Sequence, residues 1–173
     1  AEAAQLDHMC KGRFMMGGGP GGLASDFELF KNPDVHARNR MVAEAMTFIE
    51  DIWSHDPPYD LKGEFWNVSI KDAIMPELGV GYMPKPYQPG GPPVSISLAS
   101  PNSSSAATAA KRGWGILSAN IIPTYSVASH WAVYSKACAE LGVPARGENW
   151  RVARNVLVAP SEQEAHDRVF GDA

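Results

Sequence analysis

Apolar residues recur along this chain at two spacings, and the switches between them mark out its elements. Over residues 1–11, Ala4, Leu6 and Met9 fit one side of a helix that Gly12 would stop. Arg13-Phe14-Met15-Met16 reads as a short strand, and it runs into the glycine loop 17–22. Residues 23–38 carry no regular pattern, although Phe27 and Phe30 must pack somewhere. From 40 to 53 the spacing of Met41, Ala45, Phe48, Ile49 and Ile52 is helical. A long excursion follows over 54–93, with a β-like piece at 64–68 and a proline-rich run over 76–93. The pattern then becomes regular: a strand at 93–99, an alanine-rich helix at 104–112 ending at Gly113, and a strand at 114–118. A helix at 128–141 is stopped by Gly142 and Pro144, and a strand is expected over 150–159. Ser161 caps a final helix, with Glu164 three residues on in the capping-box position.

Strands alternating with helices predict a parallel sheet in the α/β class. The chain holds about four such strands, whereas a closed (β/α)8 barrel needs about 250 residues, so 173 residues fit a partial (β/α)8 TIM barrel plus the Pro/Gly-rich excursion. Residue 1 lies inside a helical pattern with no start signal, and the last residues continue one. The expectation is therefore that 1–173 is the central part of one barrel domain, incomplete at both ends. Open sheet edges expose unpaired backbone, which favours association with further copies, a homo-oligomer, or with the remaining strands.

Composition narrows the class. The chain is 45% hydrophobic and 20% charged with net charge -4, which is ordinary for a globular protein and gives no reason to expect nucleic acid or an anionic membrane as partner. Two distant cysteines, Cys10 and Cys138, suggest neither a disulfide framework nor a redox pair, and a reducing cytoplasmic setting is expected. The five histidines are scattered without metal-ligand spacing, so no metal site is expected.

Three constellations could carry chemistry. Gly17, Gly19 and Gly22 satisfy GxGxxG, and an NAD(P)-binding oxidoreductase built on that turn is one alternative. Against it, Pro20 interrupts the run and no long helix follows; a plain turn, or a loop kept bare so that a flat ring can lie on it, are the other readings. The segment Ser97-Leu98-Ala99-Ser100-Pro101-Asn102-Ser103-Ser104-Ser105 leads from a strand end into a helix start crowded with hydroxyls, more than one N-cap requires. Arg40 is expected to begin a helix, where a cation opposes the dipole and would be retained to meet an anion; a solvated surface arginine is the bland reading. His130 and Trp131 fit helix packing better than a site.

The pieces also resemble a known family. Leu6-Asp7-His8-Met9-Cys10-Lys11-Gly12-Arg13, with the glycines that follow, is similar to the "LDxxSxGR…GxGxG" segment of bacterial-luciferase-like flavin-dependent monooxygenases of the limonene- and alkanal-monooxygenase type. Asp26-Phe27 followed by Arg38, Arg40 and Glu44 resembles their "DF…R…E" stretch, and Gly63-Glu64-Phe65-Trp66 their aromatic excursion. The strand through Val94-Ser95-Ile96-Ser97 and the turn Arg112-Gly113-Trp114-Gly115 follow in the same order.

The resemblance implies barrel strands four to seven of a monooxygenase using reduced FMN and molecular oxygen on a small organic substrate, with a deazaflavin as the lesser alternative and a flavin reductase as a candidate partner. It places Arg40 at the cofactor phosphate, Ala99, Ser100 and a hydroxyl among Ser103, Ser104 and Ser105 in the phosphate and ribityl loop, and Ser118 near the ring system. Gly19 stands where luciferase has a reactive cysteine and Pro20 where it has a second phosphate arginine; both departures argue against light emission. The family's catalytic histidine is expected upstream of residue 1, so the catalytic residue is unknown, and an inactive fragment remains the non-enzymatic alternative.

Overall fold

The computed structural model describes residues 1–31 and 34–171. Among the described residues, six α-helices and six strands follow in order: α1 (Glu2–Met9), β1 (Met16–Gly18), α2 (Ala24–Leu29), α3 (Val35–Ser54), β2 (Tyr59–Lys62), β3 (Asn67–Ile70), β4 (Val94–Leu98), α4 (Ser104–Lys111), β5 (Gly115–Ser118), α5 (Thr124–Glu140), β6 (Trp150–Val152) and α6 (Glu162–Phe170). Strands β1, β4, β5 and β6 form one parallel sheet in that order, and β2 pairs with β3 as an antiparallel hairpin inside the excursion. This is the expected α/β class with its four-stranded parallel sheet. The domain expected over 1–173 includes positions 32, 33, 172 and 173, which lie outside the described residues.

Strand alternation decides which side chains meet the helices. Val94, Leu98 and Ile116 turn toward α4 and α5 and pack with Ala106, Ala109, Ala110, Tyr134 and Cys138. The run of alanines brings the α4 backbone close to both sheet and α5, because no bulky side chain intervenes. The opposite face is more open toward its C-terminal end: Ser95 is buried but Ser97 is exposed, and a Cβ at Gly19 would meet Ser97 Oγ at 2.5 Å, so the two share that face.

Helix ends follow local chemistry. α4 and α5 each finish in a Schellman motif with a left-handed glycine: Gly113 (φ +69) donates to Ala110 and Trp114 to Ala109, while Gly142 (φ +70) donates to Ala139 and Val143 to Cys138. The Ser161 hydroxyl accepts the Glu164 N–H at 3.2 Å, the first half of the expected capping box; the Glu164 carboxylate instead takes Arg168.

Several boundaries differ from the pattern. α3 starts at Val35, not at residue 40, because Asp34 caps it by accepting the His36 N–H at 2.9 Å. Arg40 is therefore in the second turn, and the argument that it opposes a helix start fails. The stretch 23–38 contains the short helix α2, although positions 32 and 33 fall outside the described residues. α5 begins at Thr124 behind Pro123, four residues before the expected start. The final strand ends at Val152, because past Ser118 its neighbour β5 offers no further ladder; beyond it Val156 and Val158 are 82% exposed. In α1 the buried positions are Ala4 and Asp7, while Met9 is 71% exposed, so the apolar stripe predicted on Leu6 and Met9 is not what packs.

Asp7 explains that last difference. Its buried carboxylate accepts the Gln88 backbone N–H and side-chain Nε2–H, each at 2.8 Å, and Gln88 Nε2 also reaches the Phe14 carbonyl at 3.1 Å. A paired carboxylate thus pins the end of the excursion to α1.

Candidate functional site

The loops at the C-terminal ends of the parallel strands carry the candidate residues, the end at which α/β sheets bind ligands. Gly19 and Pro20 leave β1, residues 99–103 leave β4, and Ala119 leaves β5. A cleft of about 450 Å³ opens between α3 and the start of α4; Pro20, His36, Asn39, Arg40, Ser104 and Ser105 are among its lining. Of the expected site residues the cleft gathers Arg40 and Ser104, with Ser105; Gly19, Ala99 and Ser100 are exposed and Ser103 half-buried on the adjoining loops, outside its lining.

The start of α4 has the electrostatics of an anion site. Ser103 is its N-cap, yet no side chain caps the helix, and of the first-turn amides Ala106 turns back to the Ser103 carbonyl at 3.1 Å. The Ser104 and Ser105 hydroxyls stand beside the remaining N–H groups at the positive end of the helix dipole. Arg40 faces them from α3.

Arg40 is already engaged. Its Nε donates to Glu64 Oε2 at 3.0 Å and its Nη2 to Glu64 Oε1 at 2.8 Å. That hydrogen bond and the charge behind it raise the arginine's pKa and lower that of the Glu64 carboxyl. A guanidinium has five N–H donors in a planar fork, so the edge turned away from Glu64 stays available; the Arg40 side chain is 53% exposed.

One helical turn on, Glu44 holds the same hairpin. Its carboxylate accepts the backbone N–H groups of Glu64 (2.7 Å), Phe65 (3.1 Å) and Trp66 (2.9 Å). A side chain at Gly63 would collide with that carboxylate, which is why a glycine sits there. Residues 64–66 are thus a turn and not the predicted β-like piece, whose strand begins only at Asn67.

The structure sets Ser118 apart from the other expected residues. The expectation placed it beside a flavin ring, but its position in β5 turns it toward α5, away from the open face, and it is wholly buried. Its hydroxyl meets His130 Nδ1 at 3.0 Å and accepts the Trp150 Nε1–H at 2.9 Å, so it is engaged inside the protein on the helix side of β5. His130, expected to serve packing, is wholly buried too, and its Nε2 lies 2.8 Å from the Ser100 carbonyl.

Next to the anion cleft, a more apolar one of about 400 Å³ is lined by the glycine loop together with Phe27, Phe30, Met41, Val42, Ala45 and Trp66. The GxGxxG reading finds little support: Gly17 and Gly18 lie inside β1, and the helix that follows has six residues. Among the described residues no cluster could hold a metal ion, and no helix is long and apolar enough to cross a membrane. Sequence reading gave no site role to Glu44, Glu64, His36 or Asn39, and favoured packing for His130. Only the Arg40–Glu44 spacing of one helical turn signalled that two charges share a helix face.

Comparisons with known proteins bear on the family and the fold. The chain is 29% identical to 4-hydroxyprotoasukamycin monooxygenase of Streptomyces nodosus subsp. asukaensis, over 96% of this chain and 43% of that protein. It is 27% identical to limonene 1,2-monooxygenase of Rhodococcus erythropolis, over 92% and 38%. In fold it matches the oxygenating constituent of 3,6-diketocamphane monooxygenase from Pseudomonas putida, a type II Baeyer-Villiger monooxygenase solved in complex with FMN, with TM-score 0.79, 24% identity and coverage of 96% of this chain and 46% of that one. A monooxygenase from Streptomyces bottropensis matches with TM-score 0.76, 21% identity, and coverage of 95% and 47%. The chain thus spans less than half the length of these relatives. The family model for luciferase-like monooxygenases matches residues 1–173, and the chain belongs to that family.

Proposed function

We propose that this chain is the cofactor-binding wall of an FMN-dependent monooxygenase, completed as a (β/α)8 barrel by the rest of the protein, and that it acts on a small apolar organic substrate. The observation that carries the reading is the cleft in which Arg40 stands opposite the uncapped start of α4 with Ser104 and Ser105. A guanidinium edge, two hydroxyls and open helix N–H groups suit a dianionic phosphate, so the residues present fit the phosphate end of FMN. Bare backbone at Gly17, which pairs with Ser95 and has nothing within 4 Å of an added Cβ, leaves room on the open sheet face for a flat ring.

In this reading Arg40, Ser104 and Ser105 bind the phosphate. Ala99, Ser100 and Ser103 line the adjoining chain of the cofactor, and Gly19 keeps the approach to the ring free of side chains. Ser118 is left out as a ligand, since it is buried on the far side of β5. Bound reduced FMN would supply the electrons that activate molecular oxygen. The apolar cleft beside it, with Phe27, Phe30 and Trp66, would exclude water and take the substrate. A separate reductase, self-association and a cytoplasmic setting belong to the same proposal.

The test is FMN titration of the intact protein followed by protein and flavin fluorescence. Arg40→Ala should weaken FMN binding much more than riboflavin binding, since riboflavin lacks the phosphate. Equal loss for both ligands would remove the phosphate assignment, and absence of flavin binding by the wild type would overturn the function.

A further inference from the structure

A buried chain of hydrogen bonds runs from the edge strand to the serine-rich loop, and its donors and acceptors can be assigned in full. A carbonyl only accepts, so the Ser100 carbonyl at 2.8 Å requires a proton on His130 Nε2. In the neutral ring Nδ1 then accepts, and the group 3.0 Å from it is the Ser118 hydroxyl, which must donate. The Ser118 oxygen in turn accepts from Trp150 Nε1, an indole that can only donate. Trp150 on β6 aims Ser118, Ser118 fixes the tautomer of His130, and His130 holds the loop after β4.

The neighbouring residue of α5 holds the same loop at a second point. Ser129 Oγ accepts the Asn102 N–H at 2.8 Å and donates to the Ser126 carbonyl at 2.7 Å. Asn102 has φ +52, a left-handed conformation that asparagine tolerates better than most residues. Two consecutive α5 residues therefore clamp an otherwise exposed turn, and that turn leads directly into Ser103 and the open N–H groups of α4.

We infer that His130 is a positioning residue for the anion-binding loop: by holding the Ser100 carbonyl it sets the turn that presents Ser103, Ser104 and the first amides of α4 to a phosphate. This deepens the FMN reading and rests on it for the identity of the ligand, but the tie between α5 and the loop can be read without any ligand. A lost bond to the loop should loosen phosphate binding by about 3–10-fold, the worth of one hydrogen bond.

Two substitutions separate this role from plain core packing. His130→Gln carries an amide as far as Nε2 and retains a donor for Ser100; His130→Asn reaches only the Nδ1 position and loses the loop. In the intact protein, His130→Asn should raise the FMN dissociation constant by about 3–10-fold and speed amide exchange across 99–105, while His130→Gln stays close to wild type in both. Equal effects of the two variants, or no effect of either, would overturn the inference. If His130→Asn does not fold, Ser129→Ala decides the matter: faster exchange at the Asn102 amide with weaker FMN binding supports the clamp, and unchanged exchange and binding overturn it. A wild type that binds no FMN would sink the proposed function, while the exchange measurements would still report on the clamp.

Discussion

Arg40 on α3 and Glu64 at the tip of the β2–β3 hairpin form a two-point ion pair, with Nε and Nη2 each holding one carboxylate oxygen at 3.0 and 2.8 Å. Both side chains are about half exposed, at 53% and 54%. The pair therefore joins the excursion to the anion cleft through a contact that water and salt can weaken.

An arginine shared with a carboxylate offers less net charge to a phosphate. Glu64→Gln keeps the shape of the turn and removes the competing charge. FMN affinity should rise by about 2–5-fold at low ionic strength, the scale of one exposed ion pair, and the gain should shrink as salt is added. Isothermal titration at two salt concentrations measures it; weaker binding in the variant would mean that Glu64 assists the phosphate by orienting Arg40.

Glu44 accounts for more of the hairpin's stability than Glu64 does. Its carboxylate accepts three consecutive N–H groups, and in Glu44→Ala these lose their protein partner. Hydrogen bonds to a charged group contribute about 1.5–3 kcal/mol each when buried, and less for partly exposed amides, so a loss of about 1–3 kcal/mol is expected. Limited proteolysis should cut near 63–66 in this variant before the rest of the chain unfolds, with flavin binding weakened because Arg40 loses its neighbour.

Acid should release the hairpin in stages. The Arg40 hydrogen bond lowers the Glu64 carboxyl's pKa, and the Lys71 hydrogen bond lowers that of Asp60. A carboxyl whose folded pKa is depressed adds stability that is fully present above its unfolded value and is lost as pH falls through the folded one. Amide exchange in the hairpin should thus stay slow down to about the ordinary carboxylate range and accelerate below it. Glu64→Gln should remove part of that acid sensitivity; an unchanged profile would deny the ion pair any role in it.

Asp7 offers a test far from the cleft. Asp7→Asn replaces one acceptor oxygen with an NH2 group. It must face either the Gln88 N–H or the Gln88 Nε2–H, and both are donors. One buried donor is left unmatched at a cost of about 1–3 kcal/mol, which chemical denaturation would measure, while FMN affinity should stay near that of the wild type because α1 does not line the cleft.

Local pattern alone determined the α/β order, the regular stretch from β4 through α5, the glycine stops at 113 and 142, and the serine-crowded turn at the start of α4. These depend on periodicity and on backbone chemistry within a few residues, which a sequence carries directly. The resemblance in the segments around Asp7, Arg40 and Gly63 reached the family. Tertiary structure decided the rest. Arg40 meets Glu64 across 24 positions, Asp7 meets Gln88 across 81, and His130 reaches Ser100 across 30; no local spacing reports such contacts. The side toward which Ser118 points was equally out of reach, because one step of register along a short strand exchanges the open face for the helix-covered one. The same physics shortened β6, since a strand persists only where a neighbouring ladder satisfies its backbone.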